Sequence, residues 1–285
     1  MCGIVGITSS KEVTSRIIGS LKKLEYRGYD SAGIATISEN NINEVKCEGR
    51  VNELEKNVNQ IKLSGTIGIG HVRWATHGKP STINAHPHSS DNVSVVHNGI
   101  IENSTILKKI LEKKGYKFKS QTDTEVIVHL VTDYLKKNNL KDTIIKVLKK
   151  LHGSFALGII FKDQPDLIIG ARRGSPLAVG YGPDEHYLGS DSYALKSMTN
   201  KISYLNDGEF CILKKDQVEF FDSDGIKTNK EVLNLSKDEQ NYEKGQYKYF
   251  MAKEIDEQPV TIKNCINEYI DKHNNEINIY NFPWK

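Results

Sequence analysis

Cys2 directly follows the initiator methionine, and this position opens a specific chemical possibility. If Met1 is removed, the α-amino group of Cys2 becomes a base that titrates near ~7.7–8.0, beside a thiol that titrates near ~8.5. Nucleophile and general base then belong to one residue, as in enzymes with an N-terminal threonine nucleophile. The alternative, which position alone favours, is a small packing residue at the start of a strand.

A polar loop at 70–81, GHVRWATHGKPS, carries Arg73, Trp74, Thr76 and His77. Only six of the 39 basic residues are arginines, so lysine is the usual cation of this chain. The planar guanidinium of arginine binds a carboxylate through two hydrogen bonds, which lysine cannot do. Arg73 is therefore a candidate carboxylate clamp, and the alternative is a surface arginine stacked on Trp74.

Five of the nine histidines fall within 27 residues, at His71, His77, His86, His88 and His97. This density raises the possibility of a metal site. No carboxylate or cysteine completes a ligand set at a suitable spacing, however. We therefore expect structural histidines and no metal.

Asn98 and Gly99 end the apolar run VSVVHNG at 93–99. Asn-Gly is a strong hairpin-turn signal, but the apolar Ile100 and Ile101 follow at once. The alternative is an oxyanion hole, in which the Asn98 side-chain amide and the Gly99 backbone N–H point at one oxygen.

Two further charged residues have both a structural and a chemical interpretation. Asp123 lies next to Thr122, which with Glu125 fits a capping box at the start of a helix, and it could also bind a substrate ammonium. Arg27, in RGYDSAG at 27–33, is either a buried ion-pair partner, with Asp30 as a candidate carboxylate, or a group that orients the nucleophile.

Apolar periodicity predicts the elements that must position these residues. Helices are predicted at 11–24, 51–62, 103–114, 123–137 and 140–151, with another that begins near 249. Strands are predicted at 3–9, 32–38, 44–49, 66–72 and 93–99, and short strands dominate from 153 to about 233. The segments ARRGSPLAVG at 171–180 and GSD at 189–191 are interpreted as strand ends and turns. The pattern favours antiparallel pairing and an α+β protein with sheets layered between helices.

Composition excludes several classes of protein. A net charge of +3 does not indicate binding to nucleic acid or to an anionic membrane. The longest apolar stretches are too short to span a bilayer, and no secretory signal or phosphate-binding glycine loop is present. Four scattered cysteines indicate reduced thiols in a cytoplasmic protein. We expect no cofactor.

Seven motifs, in order along the chain, resemble the class II glutamine amidotransferases. They are CGIVG at 2–6, YRGYDSAG at 26–33, HVRWATHG at 71–78, HPH at 86–88, VVHNGIIEN at 95–103, TDTEVI at 122–127 and RGSPL at 173–177. The resemblance implies the four-layer αββα sandwich of the N-terminal-nucleophile hydrolases, with antiparallel sheets. RGYDSAG and RWATHG in particular resemble the glutaminase domain of the glutamine–fructose-6-phosphate aminotransferases, or glucosamine-6-phosphate synthases.

MAKEIDEQP at 251–259 resembles the segment that leads from that domain into two sugar-isomerase domains. The resemblance therefore implies a glutaminase domain over 2–240, followed at 241–285 by a linker and helix leading to isomerase domains that this chain lacks. The parent enzyme is expected to be a homo-oligomer. It would use the ammonia that this domain releases from glutamine to make glucosamine 6-phosphate from fructose 6-phosphate.

The resemblance also implies residue roles. Cys2 would attack the side-chain amide of L-glutamine, with its freed amino group moving the proton, and form a γ-glutamyl thioester that water hydrolyses. Asn98 and Gly99 would stabilise the oxyanion. Arg73 would bind the α-carboxylate of glutamine and Asp123 its α-ammonium, in a pocket also lined by Thr76 and His77. Trp74 would lie on the path that ammonia takes, and Arg27 would position Cys2.

Three rival functions remain at this point, and a metal-binding protein built on the histidines is the third of them. Amidophosphoribosyltransferase, another class II amidotransferase, usually carries a motif like QHRGQD in place of YRGYDSAG, and a tyrosine in place of Trp74. A non-catalytic glutamine-sensing module is the second rival, but sensing requires neither a nucleophile at Cys2 nor an oxyanion hole at Asn98 and Gly99.

Overall fold

The computed structural model describes residues 2–235, 245–271 and 276–277. The chain divides into two compact units, residues 1–236 and 237–285. The domain boundary predicted between 240 and 241 lies outside the described residues.

Except for three strands of two residues each, at 88–89, 227–228 and 233–234, the strands of the first unit follow the predicted apolar runs. In chain order they are β1 (Gly3–Ser9), β2 (Ser31–Ser38), β3 (Asn41–Glu48), β4 (Ile67–Arg73), β5 (His88–Ser89), β6 (Val93–Ile101), β7 (Gly153–Phe161), β8 (Gln164–Arg173), β9 (Ala178–Gly182), β10 (Glu185–Gly189), β11 (Lys201–Tyr204), β12 (Phe210–Lys214), β13 (Val218–Phe221), β14 (Lys227–Thr228) and β15 (Leu233–Asn234). Strand β6 continues through Asn98 and Gly99 to Ile101, so this Asn-Gly pair does not form a hairpin turn.

The helices of the first unit are amphipathic, and five of them match predicted helices. They are α1 (Thr14–Leu24), α2 (Val51–Ile61), α3 (Ser104–Lys113), α4 (Glu125–Leu135), α5 (Leu140–Lys150) and the short α6 (Ser192–Leu195), which the sequence pattern did not predict.

The strands form two antiparallel sheets. The first has the order β15-β11-β9-β10-β1-β4-β2-β3, and the second has the order β14-β13-β12-β8-β7-β6-β5. An apolar cluster between the sheets includes Ile4, Ile69, Val96, Ile160 and Leu188. Helices α1, α2 and α6 cover the outer face of the first sheet, and α3, α4 and α5 cover that of the second. This four-layer αββα sandwich confirms the predicted fold class.

Two arginines outside the predicted site join elements of this sandwich. Arg16 on α1 forms two hydrogen bonds with the carboxylate of Glu185 on β10, at 2.6 and 2.8 Å. Arg173, at the end of β8, donates to the carbonyl oxygens of Leu151 (2.7 Å) and Leu148 (3.3 Å) at the end of α5. A cation at a helix C-terminus is favourable, so Arg173 caps this helix.

The second unit contains α7 (Phe250–Tyr269), which has Pro259 in its interior, and a small hairpin of β16 (Ile270–Asp271) and β17 (Glu276–Ile277). The predicted helix near 249 is therefore present. Among the described residues, no helix combines the length and the apolar character needed to cross a bilayer.

Candidate active site

An open pocket lies where the first residues of the chain meet the loop after β4. Its lining includes seven of the nine residues that the sequence placed in the site: Cys2, Arg73, Trp74, Thr76, His77, Gly99 and Asp123. Of the other two, Asn98 is hydrogen-bonded to Cys2, and Arg27 is outside the lining.

Cys2 immediately precedes β1, a central strand of the first sheet. Its Sγ lies 3.3 Å from the backbone nitrogen of Trp74, which donates to it, and 3.4 Å from the carbonyl oxygen of the same residue. Burial raises the pKa of the Cys2 thiol, and the Trp74 N–H and the Arg73 guanidinium oppose this effect. The thiol is therefore protonated at neutral pH, and it needs a base to become a nucleophile.

Asn98 has a buried side-chain amide with all of its polar atoms engaged. Its Nδ2 donates to the carbonyl oxygen of Cys2 (3.1 Å) and to Oγ of Ser190 (3.0 Å). Its Oδ1 lies 3.0 Å from Nε2 of His71, which also lies 3.0 Å from the carbonyl oxygen of His97. Because both oxygens only accept, His71 carries its proton on Nε2.

Gly99 adopts a φ of +124°, a conformation that side chains rarely allow. A Cβ at this position would lie 2.1 Å from the carbonyl oxygen of Ser154 on the paired strand β7. Glycine is therefore required where β6 borders the pocket.

Arg73, at the end of β4, is only 2% exposed. Its Nη2 donates to the carbonyl oxygens of His77 and Gly78, so the side chain shapes the loop that follows it. Its Nη1 is buried without a hydrogen-bond partner, and the nearest carboxylate, that of Asp30, is 3.7 Å away. A buried N–H donor that makes no hydrogen bond is costly, and an anionic ligand in the pocket would satisfy it.

Asp123 lies in the turn before α4 and is 7% exposed. Its Oδ2 accepts a hydrogen bond from the backbone N–H of Ile101 on β6, at 2.7 Å. The predicted capping box is wrong: Thr122 bonds to Ser120 and His88, while the Glu125 carboxylate accepts backbone N–H groups of residues 119 and 120. These loop contacts fix the turn that presents Asp123.

The loop side of the pocket is more exposed than the strand side. Trp74 is 54% exposed, and Thr76 and His77 are also exposed. Trp74 packs on Gly28, whose φ is +144° and where a Cβ would lie 2.5 Å from the indole. The Asp30 carboxylate accepts a hydrogen bond from the backbone N–H of Ala75, the residue after Trp74.

Arg27 is an ion-pair partner, as one of the two interpretations had it, but its carboxylate is that of Asp191 and not that of Asp30. Its Nη2 and Nε lie 2.5 and 2.9 Å from Oδ2 of Asp191, which also accepts from Tyr26. The guanidinium lies over the ring of Tyr26. Arg27 thus ties the end of α1 to the segment after β10.

Four histidines form a buried cluster beneath the pocket: His71, His86, His88 and His97. The rings of His71 and His86 are 4.3 Å apart, and those of His86 and His88 are 4.8 Å apart. Burial lowers the pKa of His71 and of His88 to about 3, and it also lowers those of the other two. All four are therefore neutral at pH 7. In the described parts of the chain, no three His, Cys, Asp or Glu residues are placed to hold a metal ion.

Sequence reasoning assigned no site role to two residues that organise this region. Thr124 Oγ1 lies 2.7 Å from His86 and 2.9 Å from His97, and so bridges two rings. Ser190, in the GSD segment interpreted as a turn, binds the Asn98 amide. Both are small hydroxyl residues in loops, so nothing in the sequence separates them from other serines and threonines. Only their long-range contacts reveal their role.

The sequence of this pocket matches a known family. Residues 73–197 match the profile of a family described as a glutamine amidotransferase domain. The sandwich fold also resembles the glutamine phosphoribosylpyrophosphate amidotransferase of B. subtilis, solved with ADP and GMP, with a TM-score of 0.67 and 30% identity over 78% of this chain and 49% of that one. Residues 73–197 are therefore similar to a glutamine amidotransferase domain.

Two curated relatives to which the chain is similar carry a more specific name. Both are named glutamine–fructose-6-phosphate aminotransferase (isomerizing). The protein of Bradyrhizobium diazoefficiens is 48% identical over 272 residues, and that of Mesorhizobium japonicum is 50% identical over 273 residues. In each case the match covers 95% of this chain and 45% of the relative, so the chain spans about half the length of these proteins. It is homologous to their glutaminase half.

Proposed function

We propose that this chain hydrolyses L-glutamine to glutamate and ammonia, with Cys2 as the nucleophile once Met1 has been removed. The observation that carries the proposal is a single pocket lined by a thiol, a buried guanidinium whose Nη1 makes no hydrogen bond, and a buried carboxylate. Glutamine offers a matching group to each of these: an amide carbon, an α-carboxylate and an α-ammonium.

Removal of Met1 supplies the base that the thiol needs. While Met1 is attached, the nitrogen of Cys2 is an amide and cannot accept a proton. Once free, the amine titrates near ~7.7–8.0, takes the thiol proton and passes it to the departing ammonia. The thiolate attacks the amide carbon of glutamine, and water later hydrolyses the γ-glutamyl thioester to glutamate.

Arg73 and Asp123 hold the amino-acid end of glutamine in this proposal. Nη1 of Arg73 donates to the α-carboxylate while Nη2 stays on the loop carbonyls, and Asp123 pairs with the α-ammonium. Thr76 and His77 line the outer part of the pocket. Arg27 positions the Cys2 region through its contact with Asp191.

Asn98 and Gly99 stabilise the tetrahedral oxyanion. Both N–H groups of the Asn98 amide are engaged without substrate, one of them with the Cys2 carbonyl oxygen. The oxyanion therefore has to replace that carbonyl as the acceptor. The backbone N–H of Gly99 is the second donor.

Cys2→Ala tests the chemistry, with Cys265→Ala, an exposed cysteine of the second unit, as the matched control. Mass spectrometry first establishes loss of Met1, and glutamate release is then measured. We expect no turnover by Cys2→Ala and full turnover by Cys265→Ala. An electrophilic glutamine analogue should label Cys2 alone. Glutamate production that survives in Cys2→Ala would falsify the mechanism.

The wider role proposed here follows the names of the curated relatives. The glutaminase domain, proposed at 2–240, supplies ammonia along Trp74 to sugar-isomerase domains that follow the linker and helix of 241–285. There fructose 6-phosphate is converted to glucosamine 6-phosphate, in a cytoplasmic homo-oligomer. A role in phosphoribosylpyrophosphate amidotransfer has weaker support, since identity there is 30% against 48%. Formation of glucosamine 6-phosphate by the chain joined to an isomerase half would test this role.

A further inference from the structure

Ser190 lies between β10 and α6, has no exposed surface, and accepts two hydrogen bonds. One comes from the backbone N–H of Ile4, at 2.5 Å, and the other from Nδ2 of Asn98, at 3.0 Å. The backbone N–H of Ser190 also donates to the carbonyl oxygen of Ile4, at 3.1 Å.

These contacts connect the two sheets at the pocket. Ile4 is on β1, two residues after Cys2, and Asn98 is on β6 of the opposite sheet. The hydroxyl of Ser190 thus connects β1, the strand that directly follows Cys2, to the side chain of Asn98. Its bonds to Ile4 hold it in register with the start of β1.

We infer that Ser190 is a positioning residue that aims the Asn98 amide at the oxyanion. The inference rests on the proposed glutaminase function. The planar amide of Asn98 has two N–H bonds in fixed directions, one toward Ser190 and the other toward the Cys2 carbonyl oxygen. When the oxyanion replaces that carbonyl, Ser190 and His71 are the remaining partners that set the plane of the amide.

Ser190→Ala tests the inference, and Ser203→Ala is its matched control. Ser203 is equally buried, donates to the carbonyl oxygen of Glu231 and accepts from Tyr181, away from the pocket. Glutamine hydrolysis is measured with the 285-residue chain after Met1 removal. We expect Ser190→Ala to lower kcat by about 10–100-fold, because small misplacements of a catalytic group are costly, with KM unchanged. Ser203→Ala should keep the wild-type kcat.

A double-mutant cycle separates positioning from general loss of structure. In an Asn98→Ala background there is no amide to aim, so Ser190→Ala should lower kcat much less than it does in the wild type. An equal effect in both backgrounds overturns the inference. So does a Ser190→Ala effect on kcat no larger than that of Ser203→Ala.

Folding is followed by circular dichroism and thermal unfolding. If Ser190→Ala does not fold, Ser190→Cys replaces it, because sulfur is a weaker hydrogen-bond acceptor than oxygen. Reduced kcat at unchanged KM then supports the inference, and wild-type kcat overturns it. If the wild type itself does not hydrolyse glutamine, the proposed function fails and the inference with it. If the wild type is active and the serine variants match their control, the inference alone fails.

Discussion

The pocket has two sides that are built differently. On the strand side, Asn98 and Gly99 belong to β6, which is paired with β7 along its length, and the Asn98 amide has three partners. On the loop side, Trp74, Thr76 and His77 are exposed. Arg73 holds their loop in place by donating hydrogen bonds to the carbonyl oxygens of residues 77 and 78.

The difference indicates a division of labour. Oxyanion donors gain most from being fixed before the reaction, and a paired strand fixes them. Residues that admit and release a substrate benefit from a segment able to move. We therefore expect strand-side variants to act mainly on kcat and loop-side variants mainly on KM.

The largest effect is expected for Asn98→Ala, which removes the proposed oxyanion donor and should lower kcat by about 10²–10³-fold with little change in KM. Asn84→Ala is its counterpart on the loop side. Asn84 is also buried, and its amide bonds to Lys79 and Gln121. Steady-state glutaminase kinetics should show an effect of Asn84→Ala mainly in KM. If both variants lowered kcat equally, the proposed division would be wrong.

Arg73→Lys should raise KM for glutamine by about 10–100-fold, because a charged hydrogen bond contributes about 1.5–3 kcal/mol. Lysine keeps the charge but cannot bond the loop carbonyls and the substrate together. Arg50→Lys is the control, since Arg50 lies over the ring of Tyr29. Glutamine titrations of initial rate distinguish the two, and a KM near wild type for Arg73→Lys would contradict its role as a carboxylate clamp.

The third expected effect is on stability, and it does not distinguish the two sides of the pocket. The pKa of His71 and of His88 is about 3 in the fold, below the ordinary value of about 6.5. Protonation therefore favours the unfolded chain: the stability is present above pH ~6.5 and is lost as pH falls toward 3. Each histidine should cost up to about 1.4 kcal/mol per pH unit in this range.

Urea unfolding between pH 7 and 5 measures this loss. His88→Gln should reduce the pH dependence by about one proton, whereas His152→Gln, at an exposed position, should leave it unchanged. Identical pH dependence in all three proteins would show that the buried histidines are not the cause.

Much of the fold could be predicted from the sequence, because buried strands such as GIVGITS and LGIIF are apolar runs and the helices are amphipathic. The candidate site could be predicted where the type of a residue suggests what it binds, as the guanidinium of Arg73 suggests a carboxylate. The pairing of Arg27 with Asp191, 164 residues away, could not, since Asp30 was the nearer carboxylate in sequence. Ser190 and Thr124 were missed for the same reason, because they act through tertiary contacts.

Strand β1 has a consequence for how the protein is made. It pairs with β4 on one side and with β10, at residues 185–189, on the other. The ribosome adds about 5–20 residues per second, so roughly 10–40 s separate the synthesis of Cys2 from that of β10. During this interval the central sheet is incomplete, and we expect the aminopeptidase that removes Met1 to act then. Ribosome-bound chains shorter than 185 residues should therefore already lack Met1, a result that mass spectrometry of stalled chains can check.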